Sequence, residues 1–234
     1  MSSSLLRSIG GAASVLTLLV SLASTPVHAQ IQNGSFETGT FVNNGQGGDS
    51  LPVGSTAIAN WTTTNNELAW LVNGNVYGVA TPYGSYFLDL TGYHDSSPYG
   101  GVTQTIATSN GTSYHLSFSL GSYQGNSIYG GQVGAMASAG GASQNFTFTP
   151  AAGSMGNQWG TFGFDFTATG SSTPITITGT STQGGQYIGL DNVSVTPNAP
   201  VPESSTTVSL GLLLALGMGG MVAAKKRRKA HSPA

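Results

Sequence analysis

Tyr114-His115-Leu116-Ser117-Phe118-Ser119-Leu120 alternates large apolar side chains with polar ones without a break. Successive side chains of a strand point to opposite faces, so Tyr114, Leu116, Phe118 and Leu120 share one face and His115, Ser117 and Ser119 the other. Phe162, Phe164 and Phe166 repeat the pattern against Thr161, Gly163 and Asp165. So do Ile175 and Ile177 with Thr176 and Thr178, and Phe146 and Phe148 with Asn145 and Thr147. Gly, Asn and Ser turns bound these runs, which reads as half-buried antiparallel strands.

Working outward, the further expected strands are Ile31–Phe36, Ala57–Thr63, Leu68–Val72, Tyr86–Leu90, Val102–Ala107 and Val133–Ala137. About ten short strands with no helical period between them predict an all-β domain, a two-sheet antiparallel jelly-roll sandwich over residues 30–196. The last strand needs an irregularity. Ile188 and Leu190 have one parity, Val193 and Val195 the other, so a β-bulge is expected near Asp191-Asn192. Pro197 to Pro202 then ends the strand and opens a linker over residues 197–207.

Charge is distributed unevenly. Of the 6 Lys and Arg, Arg7 is one and Lys225 to Lys229 supply the other five. Of the 8 Asp and Glu, only Glu203 lies outside residues 30–200. That span therefore carries seven acids and no Lys or Arg, a poor surface for nucleic acid or anionic lipid. Cysteine is absent, so an exported domain would hold together without disulfides.

The ends read as targeting segments. Residues 1–29 look like a signal peptide: Arg7, an apolar core from Ile9 to Ala23, and Val27-His28-Ala29 before Gln30. Near the other end, Val201-Pro202-Glu203-Ser204 precedes an apolar run over residues 208–224 and a basic tail over 225–234. Such a run spans roughly 25 Å as a helix, short for a hydrocarbon core of about 30 Å unless the basic end snorkels. The positive-inside rule keeps the basic cluster cytoplasmic and places the domain outside. A plain membrane anchor is the simplest account of this tail. Its order of parts resembles the PEP-CTERM sorting signal, with Val201, Pro202 and Glu203 on the motif and Ser204 where a second proline is usual. The resemblance implies an exosortase-like processing enzyme as partner. It also implies an inner-membrane anchored precursor that ends at the cell surface or in the extracellular matrix.

The domain resembles a family too. Its series is Asn33-Gly34-Ser35-Phe36-Glu37, Ile58-Ala59-Asn60-Trp61, Tyr86 to Gly92, Val102-Thr103-Gln104-Thr105-Ile106, Tyr114 to Phe118, Phe164 to Gly170 and Leu190-Asp191-Asn192-Val193-Ser194-Val195. This order is similar to the choice-of-anchor C domain, to the DUF642 wall proteins and to galactose-binding-like jelly rolls. The resemblance implies a non-catalytic, surface-displayed sandwich of carbohydrate-binding type. It also implies a structural calcium ion tying Glu37 to Asp191. The physical case for calcium is that two carboxylates brought together in a domain without cations need neutralising; the plainer account is that both accept backbone hydrogen bonds in turns.

Glycan binding needs aromatic faces and polar groups for hydroxyls. Tyr77, Tyr83, Tyr93, Tyr99, Tyr123 and Tyr129 lie in Gly-rich, loop-like sequence with His94, Asp95, Gln124 and Asn126 among them. The competing account is that tyrosine is common in exported β-proteins. Trp61 reads as core, while Trp70 and Trp159 fit either role. Asp89 has the parity opposite to Leu88 and Leu90 and falls off the core face, but no spacing selects a catalytic carboxylate pair and no nucleophile motif stands out. The expectation is a non-catalytic protein of the surface or matrix that binds glycans or exopolysaccharide. A passive structural or adhesive matrix protein is the alternative, and a glycoside hydrolase the second.

Overall fold

The computed structural model describes residues 29–198. Of the expected signal peptide over residues 1–29, all but Ala29 lies outside the described residues. So do the expected sorting motif at Val201, Pro202 and Glu203, the expected helix over 208–224 and the basic tail. Ala29, expected to end the signal, is buried against the main core.

Eleven strands and no helix are found among the described residues. They are β1 (Gly48–Leu51), β2 (Thr62–Thr64), β3 (Leu68–Val72), β4 (Tyr86–Asp89), β5 (Gly101–Ala107) and β6 (Ser113–Gln124). The rest are β7 (Val133–Ala139), β8 (Ala142–Phe148), β9 (Gly156–Thr167), β10 (Ser172–Thr182) and β11 (Gly189–Pro197). They form a six-stranded sheet, β1-β3-β4-β11-β6-β9, and a five-stranded sheet, β2-β5-β10-β7-β8. All pairings are antiparallel, for example His115 opposite Asp165 and Leu116 opposite Phe164 between β6 and β9. The result is the two-sheet jelly roll expected from the alternation.

The main core lies between the sheets. Leu116, Phe118 and Leu120 of β6 meet Ile175 and Ile177 of β10 and Phe146 of β8, with Phe118 edge-on to Phe146 at 5.1 Å. Trp61 and Trp70 are both buried there, and each indole N–H finds a backbone acceptor: Asn33 O at 2.9 Å and Phe36 O at 3.1 Å. Each such side chain contributes roughly 1.5–3 kcal/mol through removal of apolar surface from water.

Two expected strands differ. Residues 31–36 form a turn, not a strand. Asn33 and Phe36 have φ of 55° and 57°, a left-handed conformation that breaks a ladder. The backbone of Gln32 pairs instead with a distant side chain: Gln104 accepts from Gln32 N at 2.8 Å and donates to Gln32 O at 2.9 Å. Residues 57–63 contribute only Thr62 and Thr63 to β2, while Ile58 bridges Gly39. By contrast the bulge falls where parity requires it, between Asp191 and Ser194, with Asn192 at φ 53°. The turn at Asn33-Gly34 docks there, Val193 N donating to Gly34 O at 2.9 Å.

Candidate functional site

A second apolar cluster covers the outer face of the six-stranded sheet. Ala69, Leu71 and Phe87 project there because their parity is opposite to Leu68, Trp70 and Leu88. Val79 and Tyr187 join them, and Tyr77, Tyr123, Tyr129 and Trp159 pack around the group. Strand β3 is therefore buried on both faces, and its period-two signal is lost.

Loops hold this cover in place. In the loop between β3 and β4, the Asn73 amide donates to Thr81 O at 3.1 Å and Gly84 O at 2.9 Å, and Asn75 donates to Val79 O at 2.8 Å. Strand β9 clamps the same loop: Asn157 accepts from Ala80 N at 2.7 Å, and the Trp159 indole donates to Ala80 O at 2.9 Å. Trp159 can lie flat on the sheet because Gly121 and Gly189 lie beneath it; a Cβ at Gly121 would come within 2.7 Å of the ring. Beyond β4, Glu67 accepts from Tyr93 N at 3.1 Å and bonds His94 at 2.9 Å. Burial is the largest single influence and works against a charged His94. The bond to Glu67, the bonds to the Pro98 and Ser96 backbone and the Glu67 charge together outweigh it, and the imidazole pKa is raised.

Between these loops opens a half-open pocket of about 400 Å³, open solvent at its mouth included. Tyr77, Tyr93 and Tyr129 stand around it, with Tyr77 6.3 Å from each of the other two rings. Tyr77 donates to Gln46 at 2.6 Å and Tyr93 accepts from the Asn44 amide at 2.9 Å, which fixes both rings. Asp89, Asp95 and Gln186 add polar groups, and Tyr187 lies beneath them.

Asp89 is 6 % exposed, and burial pushes its carboxyl up to about 7. Hydrogen bonds from Ile188 N at 3.0 Å, Thr91 N at 3.0 Å and the Thr91 hydroxyl at 2.9 Å oppose that rise. Asp191, at 0 % exposure, is likewise raised to about 7 by burial, against hydrogen bonds from Thr81 at 2.5 Å and Asn192 N at 2.6 Å. The Tyr187 hydroxyl is buried with no hydrogen-bond partner. Such a group costs roughly 1–3 kcal/mol. Burial, then the charges of Asp89 and Asp191, hold its ionisation well above 10.

The expected tyrosines part company here. Tyr77, Tyr93 and Tyr129 line the pocket, Tyr123 packs on the same cluster, and Tyr83 stands edge-on to Trp159 at 5.9 Å. Tyr99 does not belong with them, since its ring packs against the main core. Tyr187 and Gln186 were not selected by the sequence, which left Trp159 fitting either role and put Asp89 off the core face without a role. The available signal was parity: Phe87 and Asp89 alternate with Leu88, as Trp159 does with Gly160 and Phe162.

Glu37 and Asp191 lie near enough that the Glu37 charge adds to the rise at Asp191. Glu37 accepts hydrogen bonds from Ser85 N at 2.9 Å and Tyr86 N at 2.8 Å. No group of three or more His, Asp and Glu side chains suited to a metal converges among the described residues. Two carboxylates by themselves fall short of a calcium shell, which needs about six to eight oxygens.

Fold and site together define an all-β jelly-roll sandwich with an aromatic pocket on one outer face. The chain belongs to the DUF642 family, described as a protein of unknown function, whose profile matches residues 29–196. Among solved structures it is similar to the CBM22-1 xylan-binding domain from Paenibacillus barcinonensis Xyn10C, at 14% identity and TM-score 0.43, covering 76% of this chain and 100% of that one. A family 35 carbohydrate binding module from Clostridium thermocellum gives 14% identity and TM-score 0.40, over 63% of this chain and 97% of that one. An isomalto-dextranase of Arthrobacter globiformis T6, complexed with panose, gives 17% identity and TM-score 0.41 over 64% of this chain, which spans only 23% of that enzyme. These scores are low, and none of the three likenesses bears on function. No curated protein matches the chain.

Proposed function

We propose that the domain is a non-catalytic glycan-binding sandwich, exported and carried to the cell surface or matrix by a PEP-CTERM-like tail in a choice-of-anchor type of arrangement. The observation that carries the reading is the convergence of Tyr77, Tyr93 and Tyr129 on one pocket with Asp89, Asp95 and Gln186. Tyrosine faces stack on the C–H face of a pyranose, and carboxylates and the amide take its hydroxyls. Extracellular polysaccharide of the producing cell is the expected partner. Affinity electrophoresis of the purified chain in that polysaccharide tests this: retardation is expected, and Tyr77→Ala with Tyr93→Ala abolishes it. Migration unchanged by the polysaccharide would favour a matrix protein that recognises proteins or itself.

The tail has its own test. Pro202→Ala with Glu203→Ala is expected to leave an unprocessed, membrane-held precursor, and normal release would refute exosortase-type sorting. Calcium at Glu37 and Asp191 is a separate proposal, supported by the meeting of two carboxylates in a domain without Lys or Arg. A melting midpoint equal in calcium and in chelator would remove it.

A further inference from the structure

The pocket walls carry Asp89 and Asp95 and no Lys or Arg. No cation of those types is at hand elsewhere in the domain, since residues 30–200 contain none. The nearest histidine in sequence, His94, is bonded to Glu67 and the Pro98 carbonyl. Tyr187, 1 % exposed, also lines the pocket, and its hydroxyl has no protein partner. The groups that line the pocket are those of a site made for positive charge: two carboxylates and three tyrosine rings, with the buried Tyr187 ring at its floor.

Given the glycan-binding reading, we propose that this pocket selects a sugar with a free ammonium group, an unacetylated hexosamine unit, over neutral and uronic sugars. An ammonium within about 6 Å of a tyrosine face is attracted by the ring quadrupole. Asp89 and Asp95 supply the opposite charge. Burial disfavours a bare charge on Asp89, and a bound cation offsets that cost where otherwise a proton would. A uronate would meet two carboxylates, and the one cationic group near them, His94, is already paired with Glu67. N-acetylation removes the charge and adds bulk. A lysine on a partner protein has the same ammonium, but the Gln186 amide and the tyrosine hydroxyls are suited to ring hydroxyls that a lysine lacks.

Isothermal titration of the purified chain with short oligomers tests the proposal. The probes are a glucosamine trimer, an N-acetylglucosamine trimer, a galacturonate trimer and a lysine-containing tripeptide. The glucosamine trimer is expected to bind at least about tenfold more tightly than the others, the scale of one charge-assisted hydrogen bond. Asp95→Asn, on an exposed loop, and Asp89→Asn should each lose most of that preference. Asp165→Asn, near the opposite end of β6 from the Tyr123 end, should keep it. Equal loss in all three variants means bulk charge alone and overturns the proposal, as does tighter binding of the lysine peptide. Equal binding of the acetylated and free trimers, abolished by Tyr93→Ala, overturns amine selection and leaves glycan binding standing. Binding of none of the trimers overturns amine selection, and retardation in native polysaccharide then decides separately whether the glycan reading survives.

Discussion

The two sheets share one core, yet their outer faces differ. The five-stranded sheet shows water a lawn of Thr62, Thr64, Thr103, Thr105, Thr176, Thr178, Ser138 and Asn145, broken by Met136. Thr103 and Thr176 bond each other across strands at 2.9 Å. The six-stranded sheet shows instead buried Ala69, Leu71 and Phe87 under a canopy of tyrosines and Trp159. A polar outer face needs nothing above it. An apolar one must be covered, and the loops that cover it leave a pocket where they fail to close. In this molecule, function is sought on the face that folding alone would not have made apolar.

Phe87→Ala tests that contrast most severely. Phe87 is fully buried, so the change should cost about 3–5 kcal/mol, as much as a main-core ring, in urea unfolding. A loss below about 1 kcal/mol would make the outer cluster a loose cover and not a second core.

Next comes pH. Asp89 is raised from 3.8 to about 7, so the folded state holds its proton more tightly than the unfolded chain. Its contribution to stability is full below about 3.8 and is lost as pH rises to about 7, on the order of 4 kcal/mol as an upper limit. Asp191 acts in the same direction. His94, raised above 6.5 with Glu67 as partner, also stabilises at low pH and ceases to as pH passes its raised value. The domain should therefore unfold at lower urea at pH 8 than at pH 5, and Asp89→Asn should flatten part of that slope. A midpoint that does not move between those pH values would contradict the buried-carboxylate picture.

Gly121→Ala sharpens the comparison on a smaller scale. The added methyl meets Trp159 and should cost about 1–3 kcal/mol, with a shift in tryptophan fluorescence as the ring lifts. An unchanged spectrum would mean that Trp159 is not seated on the glycine floor. Smallest of all, Thr105→Ser on the polar face should stay within about 0.5 kcal/mol. A larger loss there would show that face to be less idle than its composition suggests.

The strands with one wet face were legible: β6, β10 and much of β9 sit where alternation puts them. Strand β3 was found by its Leu-Ala-Trp-Leu-Val run, but its burial on both sides was not, because a covered outer face depends on loops far along the chain. The turn at 31–36 was misread as a strand since its apolar residues fit one. What decides against a strand is Gln104, 72 residues away, which takes the hydrogen bonds of Gln32. The tyrosine set was half legible. Gly-rich surroundings pick out Tyr77, Tyr93, Tyr129 and Tyr99 alike, and only packing sends Tyr99 to the main core.

By itself the sequence determined that the chain makes an antiparallel sandwich, that its last strand bulges near Asp191-Asn192, and that its domain has acids without Lys or Arg. These follow from period two and from composition, which are local or additive. Only the tertiary structure decided which outer face is covered, that Asp89 and Tyr187 lie beneath it, and which tyrosines share a pocket. Parity says which side chains point the same way. It cannot say what distant loop will close over them.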